Sequence, residues 1–385
     1  MSEPTTAMPT AASKMMAMRC PGCPATVASR CPGSGLVAGD FMLDTPSGNS
    51  TVLRNSAPGS VKAHGARIAV KTAPAAAAHL AAPGTFICMA DALAPIRSPD
   101  LRLPSPLEEL HDDRIARAGI RLYLKRDDLI NPDIPGNKWR KLQYNLAAAR
   151  EQGHDTLLTF GGAYSNHLRA TAVAGGCLGY STVGVVRGEE HLPLNPSLSY
   201  AVRNGMRLTY LDRTTYRNKA KPAVIAALHD QFGAFYLLPE GGSNELAVRG
   251  CAEIPGEICV SFDVICCPCG TGGTLAGLAG GLTSRQRALG FSVLKGGQFL
   301  AGDVAALQVA AFGATSGNWS IEYDFHFGGF AKRTATLDEF VTDFNDRHGL
   351  LLDWVYVAKM MYGIVALAER DAFEPGATLV AVITG

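Results

Sequence analysis

The lysine of Gly136-Asn137-Lys138-Trp139-Arg140-Lys141 is the first residue in this chain whose setting suggests chemistry. It follows a Gly-Asn turn and precedes Trp139, Leu142 and Leu146, apolar residues at helical spacing. Lys138 therefore stands at the mouth of a helix, where the positive end of the dipole disfavours protonation of its amine. A partly neutral amine is what Schiff-base chemistry requires. On this stretch alone, a solvated lysine at an ordinary helix start is the commoner reading. A second stretch, Gly270-Thr271-Gly272-Gly273-Thr274, follows a strand ending near Cys266 and leads into Leu275-Ala276-Gly277-Leu278. Glycines there permit close backbone approach, and N–H groups at a helix start bind an anion such as phosphate. Thr271 and Thr274 add hydroxyl donors. A plain tight turn would use the same residues. A dinucleotide fingerprint does not fit, because no Gly-x-Gly-x-x-Gly starts here and no ribose-binding acid stands about 20 residues on. Cys20 and Cys23, with Cys31, form a zinc-like first pair that has no second pair nearby, so no metal site is expected.

Three further stretches join these two: Gly161-Gly162-Ala163-Tyr164-Ser165-Asn166-His167, Pro239-Glu240-Gly241-Gly242-Ser243-Asn244 and Trp354-Val355-Tyr356-Val357-Ala358-Lys359. In this order the five stretches resemble the pyridoxal-phosphate (PLP) enzymes of the tryptophan-synthase-β-like fold, fold type II. The nearest branch is the 1-aminocyclopropane-1-carboxylate (ACC) deaminase / D-cysteine desulfhydrase family, and the likeness runs from about Pro104 to Gly385. The resemblance implies that Lys138 carries the cofactor as a Schiff base and moves protons once the substrate displaces it. It implies that Asn166 bonds the cofactor's phenolic oxygen and that Ser165 contacts the substrate carboxylate or assists proton transfer. Helix capping is the plainer role for both. Gly270, Thr271, Gly272, Gly273 and Thr274 would hold the phosphate, and Thr384 would face the pyridine nitrogen. Tyr356 would be an acid/base or nucleophile with its pKa lowered by the cofactor and nearby cations, core packing being the alternative. His167 reads as a structural or substrate-side neighbour.

Substrate choice follows from departures within the same resemblance. The deaminase branch has Glu after the active-site tyrosine and Leu before the terminal glycines; here those positions hold Val357 and Thr384. Thr384 agrees with the D-cysteine branch, whereas Val357 matches neither well. A second active-site tyrosine is replaced by Phe330 unless Tyr323 substitutes, and Gly385 stands where the family has a glycine pair. The expected reaction is α,β-elimination of D-cysteine to pyruvate, hydrogen sulfide and ammonia. The alternatives are ACC deamination to 2-oxobutyrate and ammonia, or PLP binding with weak catalysis. A homodimer is implied by the resemblance alone.

These residues need a scaffold. Short apolar runs at 121–125, 156–160, 182–186, 207–211, 235–238, 264–266, 291–294 and 378–383 read as strands. Helical stretches lie between most of them, which predicts parallel sheets covered by helices, with ligands at the strand C-termini. The last run, Thr378 to Ile383, reads as a strand buried on both faces. A short helical run is expected after Pro106, and Pro255-Gly256 interrupts an otherwise helical stretch from Val248 to Ile258. The resemblance divides the chain into a large PLP-binding domain, 99–141 with 241–385, and a small domain, 142–240, with the cofactor in the cleft between them. Residues 1–98, rich in Ala, Pro, Ser, Thr and Gly, read as a low-complexity, disordered extension or a transit peptide.

Composition supports this frame. The chain has 385 residues, 47% of them hydrophobic, enough for a two-domain α/β enzyme. A net charge of +1 argues against nucleic acid or an anionic membrane as partner; the resemblance implies a small amino-acid substrate. No apolar run of about 18 residues is free of charge and glycine breaks. Of the ten cysteines, Cys177, Cys251, Cys259, Cys266, Cys267 and Cys269 lie in or beside apolar segments, as free thiols of a reducing, cytoplasmic compartment do.

Overall fold

The computed structural model describes residues 100–134 and 136–385, together with the backbone of residues 71–72. The Cys20, Cys23 and Cys31 group, Pro135 and nearly all of the expected extension lie outside the described residues.

Two sheets carry the fold. The strands are β1 (Lys71–Thr72), β2 (Leu107–Leu110), β3 (Arg121–Lys125), β4 (Thr156–Gly161), β5 (Ser181–Arg187), β6 (Met206–Leu211), β7 (Tyr236–Leu238), β8 (Val264–Cys269), β9 (Arg287–Ser292), β10 (Trp319–Glu322) and β11 (Thr378–Val382). The first sheet has the order β1-β6-β5-β4-β7, and the second β10-β9-β8-β11-β3-β2. All pairings are parallel except those of the edge strands β1 and β2. β1 falls within the stretch that reads from sequence as outside the fold.

The central strand β11 shows why its sequence is apolar after Thr378. Leu379 and Ala381 pack into one core with the Val357–Ala368 helix, while Val380 and Val382 pack into another with the Gly273–Gly281 helix. Successive side chains point to opposite faces, so both faces of the strand must be apolar. The Lys138–Glu151 helix lays Leu142, Leu146 and Ala149 against Leu157, Ala170 and Leu238 of the first sheet's core.

Four readings need correction. Leu107–Leu110 is an edge strand, and the short helix follows it at Asp113–Arg117; Glu108 and Glu109 suit a helix locally, but pairing with β3 overrides that preference. β9 begins at Arg287, four residues earlier than its β-branched and aromatic content suggests, because Ala288, Leu289 and Gly290 are covered on both sides. β10 was not expected. Cys259 is exposed, whereas Cys251, Cys266, Cys267 and Cys269 are buried, all of them free thiols. The helix interrupted by Pro255 ends at Cys251, and a short 3-10 turn spans Ile254–Glu257. Among the described residues, no helix is long and apolar enough to cross a membrane.

Candidate active site

The Lys138 turn is built against the end of β11. Gly136 has φ +53°, and a Cβ there would overlap the Thr384 carbonyl. The Asn137 amide donates to that same carbonyl at 3.1 Å. Asn137 Nδ2 donates to Thr274 Oγ1 at 3.0 Å, tying the lysine turn to the glycine loop. Lys138 opens the helix as expected. Its amine is lowered to about 7, chiefly by burial and then by the charge of Lys141, with Cys251 and Asp353 pulling the other way.

The glycine loop has the form its sequence suggests. Gly272, at φ +75°, ends the loop and the Gly273–Gly281 helix starts beside it. A Cβ on Gly273 would lie 2.6 Å from Ser243 Oγ, and one on Gly270 would lie 3.1 Å from the Tyr356 ring. Thr271 and Ser243 share a hydrogen bond at 2.6 Å. Lys141 Nζ reaches Ser243 Oγ at 3.1 Å. That amine is buried and has no carboxylate partner among the described residues, and burial holds it below the ordinary lysine range. A cation without its counter-ion beside a glycine-lined helix start fits a phosphate. Sequence reasoning passed over Lys141; its position three residues after Lys138, on the same helix face, is the signal that marks it.

On the other wall, Ser165 caps the Asn166–Cys177 helix, its Oγ accepting from the Leu168 amide at 3.3 Å. Asn166 Nδ2 donates to the Gly385 carbonyl at 3.4 Å, joining the end of β4 to the end of β11. His167 is buried. Its Nε2 bonds Thr159 Oγ1 at 2.9 Å, and its ring is held down to about 3 by burial, then by Lys138 and Lys141. A neutral, packed imidazole agrees with a structural role.

Tyr356 faces Gly270, but its phenol is pushed up, not down: burial comes first, then the carboxylates of Asp353 and Glu240. The cations invoked from sequence do not dominate its surroundings. Asp353, not singled out from sequence, accepts from the Tyr356 amide at 2.8 Å and sets this environment. Phe330 lies edge-on to Tyr356 with ring centroids 5.8 Å apart, so the position expected for a second tyrosine is beside the first, without a hydroxyl. The Tyr323 phenol is raised by burial and by Cys269. Val357 is fully buried in the apolar core. Lys359 donates to the carbonyls of His326 and Gly329 at 2.9 and 2.7 Å and so staples the loop that carries Phe330.

Behind Lys138 lies a buried charge cluster that no sequence pattern announced. Arg140 spans Asp127 (Nε–Oδ2 2.8 Å, Nη2–Oδ1 2.8 Å) and Glu257 (Nη1–Oε1 2.8 Å). Lys125 Nζ donates to Glu257 Oε2 at 2.7 Å, and Ser105 Oγ to Asp127 Oδ1 at 2.6 Å. Glu257 ends the short 3-10 turn that holds Pro255 and Gly256. Two cations and two carboxylates thus clamp the first turn of the Lys138 helix to β3.

The geometry matches a known family. A model described as pyridoxal-phosphate dependent enzyme fits residues 100–385. The chain belongs to the pyridoxal-phosphate-dependent enzyme family. A Pyrococcus furiosus protein with the provisional name 1-aminocyclopropane-1-carboxylate deaminase is 34% identical to this enzyme over 281 residues, 69% of this chain and 85% of the relative. An Arabidopsis thaliana protein, named bifunctional D-cysteine desulfhydrase/1-aminocyclopropane-1-carboxylate deaminase, mitochondrial, is 29% identical over 293 residues, 70% of this chain and 72% of the relative. The crystal structure of an ACC deaminase homologue superposes with TM-score 0.67 and 29% identity, covering 75% of this chain and 91% of that one. The enzyme is therefore PLP-dependent, of fold type II, within the ACC deaminase / D-cysteine desulfhydrase group.

Proposed function

We propose that this enzyme catalyses the α,β-elimination of D-cysteine: D-cysteine and water give pyruvate, hydrogen sulfide and ammonia. The observation that carries this reading is Val357, which lies fully buried in the apolar core at the position where the deaminase branch has a glutamate; burial also lowers the Lys138 amine to about 7 and, with the Asp353 and Glu240 carboxylates, raises the Tyr356 phenol, which agrees with it. Elimination needs a base for the α-proton, and a neutral lysine amine serves. ACC has no α-proton, and its ring must be attacked or protonated at carbon. A phenol held in its acid form is a poor nucleophile, and Phe330 offers no second hydroxyl. A glutamate in place of Val357 would sit in the apolar core.

In this scheme PLP, when bound, supplies the electron sink. Lys138 holds the cofactor and then takes the substrate's α-proton. Gly270 to Thr274, with Lys141 and Ser243, bind the phosphate. Asn166 serves the phenolic oxygen, Thr384 faces the ring nitrogen and Ser165 the substrate carboxylate. Tyr356 donates a proton to the leaving thiolate. We assign β4 to β7 to the small domain, 142–240, and the six-stranded sheet to the large one, 99–141 with 241–385; β1 lies outside both ranges.

Keto-acid release from D-cysteine, L-cysteine, D-serine and ACC, measured in parallel, tests the proposal. We expect kcat/KM for D-cysteine to exceed that for ACC at least tenfold, about 1.4 kcal/mol of differential transition-state binding. Equal or faster turnover of ACC would replace this reading with the deaminase one.

A further inference from the structure

Outside the glycine loop, a second concavity collects positive charge. A cavity of about 380 Å³ is lined by Arg187, Arg213, Tyr216, Arg217, Lys219 and Glu240. Arg187 ends β5, while Arg213 and Arg217 bracket a short helix that follows β6, so the cavity opens at the carboxyl ends of neighbouring parallel strands. Ligands of open α/β sheets bind at this edge.

The charges in this cavity do not balance. Glu240 is the single carboxylate among the lining residues and is already engaged: Lys219 Nζ lies 2.9 Å from its Oε2, and the Tyr216 hydroxyl donates to its Oε1 at 2.8 Å. Arg187, Arg213 and Arg217 have no ion-pair partner among the described residues. The three arginines line one cavity and are exposed, so solvent screens part of their mutual repulsion and a bound anion would offset the rest. Their planar, forked donors match the oxygens of phosphate better than a single point charge would. The volume is at the small end of ligand pockets, enough for a phosphate with a small organic body.

We propose that this cavity is a binding site for a compact phosphate-class anion, separate from the cofactor's phosphate loop and coupled to the active site through Glu240. The coupling has a physical route. Glu240 opens the Glu240–Gly242 turn, where Gly241 is packed on Thr271 of the glycine loop and Gly242 on the His167 ring. An anion among the arginines competes with Glu240 for Lys219. The turn that carries Glu240 then shifts against the loop and the imidazole, and substrate affinity changes with it.

The experiment uses the holoenzyme, in which the cofactor already fills the glycine loop. Inorganic phosphate and PLP added beyond one equivalent are titrated separately by calorimetry at constant ionic strength. Saturable binding of inorganic phosphate, of the monoester or of both is expected, and the comparison identifies which form the cavity takes. In the Arg213→Gln/Arg217→Gln enzyme this binding should weaken at least tenfold, with the cofactor absorbance and the basal keto-acid rate unchanged, since both side chains are exposed and outside the catalytic set. The form that binds should also shift KM for the amino-acid substrate at least twofold in the native enzyme and leave it unmoved in the variant. Absence of saturable binding by both phosphate forms, or full retention of binding in the variant, would overturn the site. Binding with an unmoved KM would overturn the coupling. None of these outcomes depends on which amino acid the enzyme prefers.

Discussion

Arg140→Met should be among the most damaging single changes outside the cofactor contacts, and the structure says why. Arg140 supplies two hydrogen bonds to Asp127, whose side chain is fully buried, and two to Glu257. Without it, Glu257 keeps Lys125 at 2.7 Å, but Asp127 keeps only the Ser105 hydroxyl. A balanced set of two cations and two carboxylates becomes one cation and two carboxylates, and the unpaired charge is the buried one. Breaking a buried pair in this way costs about 3–5 kcal/mol. Methionine fills most of the vacated space, so the loss reports charge more than packing. Urea unfolding followed by far-UV circular dichroism, at one fixed saturating PLP concentration, measures the change; the midpoint should fall with an unchanged slope. Adding Asp127→Asn removes the stranded charge and should recover at least about 1 kcal/mol, a coupling typical of contacting residues. A loss below about 1 kcal/mol, or an Asp127→Asn addition that destabilises further, would refute the charge-balance account.

Two further outcomes follow from the lysine turn. Gly136→Ala sets a side chain against the Thr384 carbonyl at a positive φ, so it should cost well over the roughly 1–2 kcal/mol of left-handed backbone strain and also release PLP; Gly119→Ala, with φ +67° and open space, should pay only the strain, and a Gly136→Ala enzyme with full cofactor occupancy would contradict the close approach. The rate at which stripped enzyme takes up PLP should rise as pH increases through about 7 and level off above it, because burial leaves the Lys138 amine neutral and nucleophilic there; stopped-flow absorbance showing the rise only near the ordinary lysine value of 10.5 would exclude that environment.

Much of the site is legible in the amino-acid sequence by itself. Local chemistry marks Gly136-Asn137-Lys138 as a turn into a helix and Gly270 to Thr274 as an anion loop, because both depend on backbone freedom within a few residues. The almost continuously apolar run at 378–383 is legible for a similar reason: a short run of this kind suits a strand buried on both faces. What tertiary structure alone decides is how these stretches act on one another. The state of Lys138 depends on burial and on Lys141, and that of Tyr356 on burial, then on Asp353 and on Glu240, the last more than 100 residues earlier in the chain. Burial and these carboxylates raise the Tyr356 phenol, whereas the sequence reading lowers it through the cofactor and nearby cations. Asp127, Arg140 and Glu257 form one cluster from three separate segments, and no local pattern records that their charges balance. β2 and β10 escape sequence reasoning because pairing at a sheet edge, and not intrinsic preference, makes them strands. Electrostatics and edge pairing act through space, and only the folded chain sets those distances.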